Sequence, residues 1–96
     1  MFDLPTETAA DRKNAHNFRE NLRKNGFMMF QFSVYLRHCP SHENAEVHVK
    51  RVKGLLPPLG YVAILRMTDK QYGMMITYYG RHPVEKPPTP QQLELF

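Results

Sequence analysis

The residue with the most chemical reach sits at the front of the chain. Met1-Phe2-Asp3-Leu4-Pro5 sets one carboxylate between apolar residues, with a proline close behind. Proline has no backbone N–H and cannot continue a central strand. The stretch therefore predicts a strand that ends at Asp3 and delivers its carboxylate to a sheet edge. Such a group is a hard oxygen donor suited to Mg²⁺, which keeps most of its waters and draws further ligands from substrate phosphate. Among the other acidic residues only Asp69 is expected at a strand end, in a hairpin turn where Asp is common for local reasons. One carboxylate does not build a tight metal site. A two-fold dimer supplies a second Asp3, and two copies facing across the axis can share one ion beside a phosphodiester.

Cationic residues form a second constellation. Arg12, His16, Arg19 and Arg23 recur at helical spacing, about a quarter turn from an apolar stripe. Three arginines on one bearing can track a phosphate backbone. The plainer alternative is a solvated helix flank softened by Asp11 and Glu20. Gln31, Ser33, Tyr35 and Arg37 share the polar face of an expected strand and offer an amide, a hydroxyl, a phenol and a guanidinium to phosphate or sugar. Lys50, Arg51 and Lys53 suit the negative end of a helix dipole, a structural reading. No Gly-rich phosphate loop, paired-Cys motif or H-E-x-x-H occurs. His38, Cys39, His42 and His48 match no zinc spacing, and adjacent His38 and Cys39 point to opposite faces of a strand.

These groups need a scaffold. Residues 8–25 predict a helix, with Thr8 as cap, Asp11 as the partner in an imperfect capping box, and Asn25-Gly26 as the stop. Ala15, Phe18 and Leu22 form its buried stripe. Residues 27–39 read as strand with Phe30, Phe32, Val34 and Leu36 on one face, too long for a single strand, so a kink or bulge is expected to split it, leaving one strand or two. A second helix is expected over about 41–56, with Ala45, Val49, Val52 and Leu56 buried. Residues 61–68 predict a central strand, Asp69-Lys70 a turn, and 71–79 a further strand with large side chains on both faces. Residues 81–90 read as a Pro-rich linker after a domain spanning 1–80, and 91–96 as an edge strand or docking peptide. The order predicts an α+β, ferredoxin-like two-layer plait: an antiparallel sheet with two helices on one face. The uncovered face calls for a second subunit.

The totals fit one domain. The chain has 96 residues, 42% of them hydrophobic, and no apolar run long enough for a membrane span. Lys and Arg outnumber Asp and Glu by 13 to 9, compatible with a polyanion partner. The single Cys39 and the polar start, with no secretory signal, predict a reducing cytoplasm.

Five stretches in register carry a resemblance over essentially the whole chain: Phe2-Asp3-Leu4-Pro5; Asp11-Arg12-Lys13; Gln31-Phe32-Ser33-Val34-Tyr35 with Arg37; Thr68-Asp69-Lys70-Gln71-Tyr72-Gly73; and Gln91 to Phe96. The chain resembles the smaller of the two universal CRISPR adaptation proteins, the CRISPR-associated endonuclease family, in the form found with type II systems. The resemblance implies a ferredoxin-like homodimer in which Asp3 binds Mg²⁺ at the interface, and metal-dependent cleavage of RNA or double-stranded DNA. It also implies a scaffold role beside the CRISPR integrase, holding the DNA to be inserted during spacer acquisition. The candidate nucleic-acid contacts are Arg12, Lys13, Arg19, Arg23, Ser33 and Arg37. The family's first strand has more apolar residues before the aspartate, so the first strand here is expected to be truncated. The alternative function is a non-catalytic ferredoxin-like dimer that binds protein or nucleic acid. Gln92 to Phe96 also resembles the peptide by which bacterial proteins dock on the replication sliding clamp.

Overall fold

The computed structural model describes residues 1–84. The expected peptide at 91–96 and the linker beyond residue 84 lie outside the described residues. The chain forms two compact units, Met1–Ile64 and Leu65–Phe96. The architecture is α+β, with three helices and small antiparallel sheets, consistent with a ferredoxin-like fold.

In the first unit, the two-residue strand β1 (Phe2–Asp3) leads into α1 (Ala9–Lys24). The Thr8 hydroxyl accepts from the Asp11 N–H at 3.0 Å, and the Asp11 carboxylate accepts from the Thr8 N–H at 3.3 Å. This reciprocal pair satisfies two donors that a helix start leaves open. At the other end Gly26 takes φ 84°, while its N–H and that of Phe27 donate to the Arg23 and Leu22 carbonyls. Those two bonds define a Schellman stop, which needs a left-handed residue and so favours Gly. Ala15, Phe18 and Leu22 are buried, as the stripe predicts.

The apolar run from 27 to 39 is split, as its length requires. It is a hairpin of β2 (Met28–Gln31) and β3 (Val34–Leu36), with a register shift between Met29 and Gln31. Ser33 turns the chain at φ 65°, a conformation that L residues seldom adopt. Phe32 and Ser33 therefore leave the faces that alternation assigns them. Ser41 caps α2 (His42–Lys53), which closes at Gly54, earlier than expected. Val52 and His48 are its buried residues; Leu55 packs on the core while Leu56 faces solvent.

The strand expected over 61–68 shortens to β4 (Tyr61–Val62), antiparallel to β1 with Phe2 opposite Val62 and Asp3 opposite Tyr61. Met1 extends this ladder by one pair: its amine donates to the Ala63 carbonyl at 2.9 Å and its carbonyl accepts from the Ala63 N–H at 2.8 Å. The Phe2 N–H donates to the Ser33 carbonyl at 3.0 Å, which ties the hairpin to β1 on its other side. A two-residue strand offers few bonds, so the pairs form as separate short sheets rather than one continuous sheet.

In the second unit, the expected turn at Asp69 is a short helix, α3 (Asp69–Gly73). Thr68 and Gln71 form the complete capping box that starts it, with bonds of 3.1 and 2.9 Å. The strand expected over 71–79 begins only at β5 (Thr77–Tyr79). It pairs with β6 (His82–Val84), inside the stretch predicted as linker. Pro83 stands opposite Tyr78 and is tolerated because this strand is an edge.

The core of the first unit joins Phe2, Phe18, Leu22 and Val52, with Leu4, Phe27, Tyr35, Leu55 and Val62 packed around them. The Phe2 ring meets Phe18 edge-on at 5.2 Å and stacks with Tyr35 at 5.7 Å. Phe2→Ala is expected to cost about 3–5 kcal/mol of unfolding free energy in a urea titration. Met29→Ala, at a position 59% exposed, is expected to stay within about 0.5 kcal/mol.

His48 supplies a pH dependence. Its buried ring meets Phe27 edge-on at 6.4 Å, and its Nδ1 has no hydrogen-bond partner among the described residues. Burial first, then the charges of Arg37 and Arg51, hold its pKa below the ordinary 6.5. Below pH 6.5 the unfolded chain takes up a proton that the folded one resists, so stability is full above that pH and falls as pH drops. The urea midpoint is expected to decline from pH 7.5 toward pH 5, and His48→Gln to narrow the difference.

Candidate functional site

Asp3 is placed by what surrounds it. Phe2 is buried and Leu4 half-buried, so the residue between them in extended backbone faces out, and Asp3 is exposed. Its backbone is held across the ladder by Tyr61. The chain preceding Tyr61 approaches unusually closely. Gly60 takes φ 100°, and a Cβ built there would lie 2.8 Å from the Asp3 carbonyl oxygen and 2.7 Å from Leu4 Cδ2. Only glycine fits, because both the backbone angle and the space exclude a side chain. Spacing analysis assigns Gly60 no role beyond opening the next element; the Pro-Pro-Leu-Gly run is the one signal of a tight approach.

Among the described residues no group of three or more His, Cys, Asp or Glu could hold a metal ion. His38, Cys39, His42 and His48 form no such set among the described residues.

The cationic candidates divide. Arg12 Nη1 donates to the Thr6 and Glu7 carbonyls, each at 3.2 Å. It therefore pins the loop between Asp3 and α1. Lys13 is exposed beside it. Arg19 turns inward: its guanidinium lies 5.7 Å from the Phe2 ring centroid and 5.2 Å from that of Phe32. Arg23 pairs with Glu20 at 3.0 Å on an exposed flank, an interaction of little net energy. Arg37 Nη1 donates to the Asn25 carbonyl at 2.7 Å and fills the space above Gly26, where a Cβ would collide with it. Ser33 contributes its carbonyl to the Phe2 N–H.

Phe2, Asp3, Ser33 and Arg19 thus share one neighbourhood, and Arg12 of α1 is bonded to the loop that follows Asp3. Arg37 lies at the opposite end of α1 from Arg12, about 20 Å away along the helix. The helical stripe that spacing assigns to a phosphate backbone is in part committed to loop, ring and carboxylate within the chain. Phe32 is the neighbour that pattern reading missed, because alternation assigns it to a buried face.

Fold and site together define a small α+β protein with an outward carboxylate at a strand end. A family model described as CRISPR associated protein Cas2 matches residues 1–75. A protein of Flavobacterium psychrophilum named CRISPR-associated endoribonuclease Cas2 is 56% identical over 96 residues, spanning 100% of this chain and 84% of its own length. Proteins of the same name from Parvibaculum lavamentivorans and Paracidovorax avenae are 49% and 45% identical over this whole chain, covering 95% and 89% of theirs. The chain belongs to the Cas2 family, and the resemblance drawn from its five motifs is borne out. No helix among the described residues is long and apolar enough to cross a membrane.

Gly60→Ala tests how the carboxylate is placed. It is expected to destabilise the fold by at least about 1–2 kcal/mol, the cost of forcing an L residue into left-handed backbone. It is also expected to shift the amide resonances of Asp3 and Leu4. An unchanged urea midpoint would mean that the close approach is not maintained in solution.

Proposed function

We propose that this chain is a CRISPR adaptation endonuclease that hydrolyses phosphodiester bonds in RNA or double-stranded DNA with Mg²⁺. It works as a homodimer of ferredoxin-like protomers and also serves as a nucleic-acid scaffold beside the CRISPR integrase during spacer acquisition. The observation that carries this reading is Asp3: an outward carboxylate at a strand end, locked between a buried Phe2 and the Gly60 backbone. Its relatives' name, endoribonuclease, supports RNA as one substrate.

The residues fit Mg²⁺ as half of a site. The ion takes hard oxygen ligands at one or two carboxylates and fills the rest with water and substrate oxygens. One Asp3 from each protomer meets that requirement, and Mg²⁺ held there supplies positive charge where a phosphodiester develops negative charge. The dimer is supported by exposed apolar surface next to the carboxylate. Tyr61, across the ladder from Asp3, is 83% exposed, and Ile64 is 48% exposed. An interface that covers Tyr61 brings Asp3 with it.

The chain's own residues do the positioning. The ladder fixes the direction of Asp3, and Arg12 holds the following loop in place. Lys13 offers an exposed charge to phosphate, and Arg23, paired on an open flank, can exchange Glu20 for a phosphate at little cost. A second reading, a non-catalytic binding dimer, is supported by the lack, among the described residues, of any group of three or more His, Cys, Asp or Glu that could hold a metal ion.

Cleavage separates the two. Wild type with Mg²⁺ is expected to cut single-stranded RNA or duplex DNA. Asp3→Asn is expected to lower the rate by about 100-fold or more, the scale on which losing a metal's direct ligand exceeds losing its supporting shell. Chelation of Mg²⁺ is expected to do the same. Equal rates for wild type and variant would remove Asp3 from the chemistry and leave the binding dimer.

A further inference from the structure

The tip of the β2–β3 hairpin carries a large aromatic ring that the core does not use. Phe32 sits in the turn beside Ser33 and is 80% exposed. An exposed ring by itself is ordinary. This one is distinguished by its backing. The Arg19 guanidinium lies over it at 5.2 Å and over Phe2 at 5.7 Å, and Arg19 Nε is shielded from solvent with no hydrogen-bond partner among the described residues. Arg19 thus directs its charge at two rings, one in the core and one in the open. The turn is tied to the strand of Asp3 by the Phe2 N–H to Ser33 carbonyl bond of 3.0 Å.

We propose that Phe32, backed by Arg19, is a stacking surface for an unpaired nucleobase of the strand that Asp3 serves. This rests on the reading of Asp3 given above. Three features select that occupant. A flat apolar ring in water gains by covering its open face with another π-system, and aromatic rings stack bases of any sequence. The guanidinium behind the ring adds a cation 5.2 Å from its centroid, and the chain's formal charge of +4 favours a polyanion. The ring is also 80% exposed, so a splayed base can reach it. A base inside a duplex has both faces already stacked and offers none to Phe32. The substrate class is therefore a single-stranded segment: a loop, an overhang or a frayed end.

The test measures binding without divalent metal, so a failure of Asp3 in cleavage leaves the readout intact. Phe32→Leu keeps an apolar side chain but removes the π-face, at an exposed position that folding does not depend on. Its affinity for a short mixed-sequence single-stranded RNA is expected to fall roughly 5- to 150-fold, from the energy of one stacked base. Affinity for a blunt duplex is expected to be unchanged, and Phe32→Tyr is expected to restore single-strand binding. A 2-aminopurine in the RNA is expected to lose fluorescence on binding wild type and not on binding Phe32→Leu. Wild-type affinity in Phe32→Leu, or an equal loss on duplex and single strand, would overturn the proposal. So would a changed oligomeric state with unchanged RNA binding, which would assign the hairpin tip to a protein interface.

Discussion

Phe2 is the residue on which the arrangement depends. It is one of two residues in the shortest kind of strand, yet it touches every layer of the first unit. Its ring packs edge-on against Phe18 of α1 and stacks on Tyr35 of β3. Its backbone pairs with Val62 on one side and donates to Ser33 on the other. A strand this short has too few ladder bonds to hold itself in place. Burial of the neighbouring side chain, on the order of 2–3 kcal/mol for a full aromatic, is what fixes it. The carboxylate next in sequence inherits that fixity. Because side chains alternate along extended backbone, the burial of Phe2 requires Asp3 to face outward. Chemistry and core are thus set by one register.

How much of this was legible in the sequence differs by element, for physical reasons. Helix α1 was readable throughout, since its cap, stripe and stop are local signals that agree with one another. The stretch from 27 to 39 was readable only in part: its length called for a split, but strict alternation over eight residues hid where the turn falls. The turn is made by Ser33 in left-handed backbone, where a glycine would have announced it. Around Thr68 the reverse happened. Thr-x-x-Gln is a legible helix start, but the β-branched and aromatic residues around it favoured a strand. The hairpin of β5 and β6 was hidden by Pro83, which reads as linker and sits instead on an edge.

The site divides along the same line. Asp3 was legible, because an acid followed by Leu-Pro marks a strand end whatever packs above it. The arginines were legible as a stripe but not in their roles. Helical spacing says which residues share a bearing, and it does not say which carbonyls or rings lie within reach. Arg12 found the loop carbonyls of Thr6 and Glu7, and Arg37 found that of Asn25. Both partners lie where the chain turns, and turns are where short-range pattern carries least information about distance.

The same accounting explains why a basic chain of this size presents so compact a candidate site. A guanidinium that bonds a carbonyl or covers a ring is desolvated on one side and held in one rotamer, so its ordering entropy is already spent. Arg19 is the clearest instance. Lying over both Phe2 and Phe32, it couples the core residue that fixes Asp3 to the ring at the hairpin tip. Both rings share one guanidinium, a contact worth on the order of 0.5–1 kcal/mol at an exposed ring. The exposed tip is therefore not an independent loop. It is tied to the strand that carries the carboxylate by the Phe2 N–H to Ser33 carbonyl bond and by the guanidinium that lies over both rings.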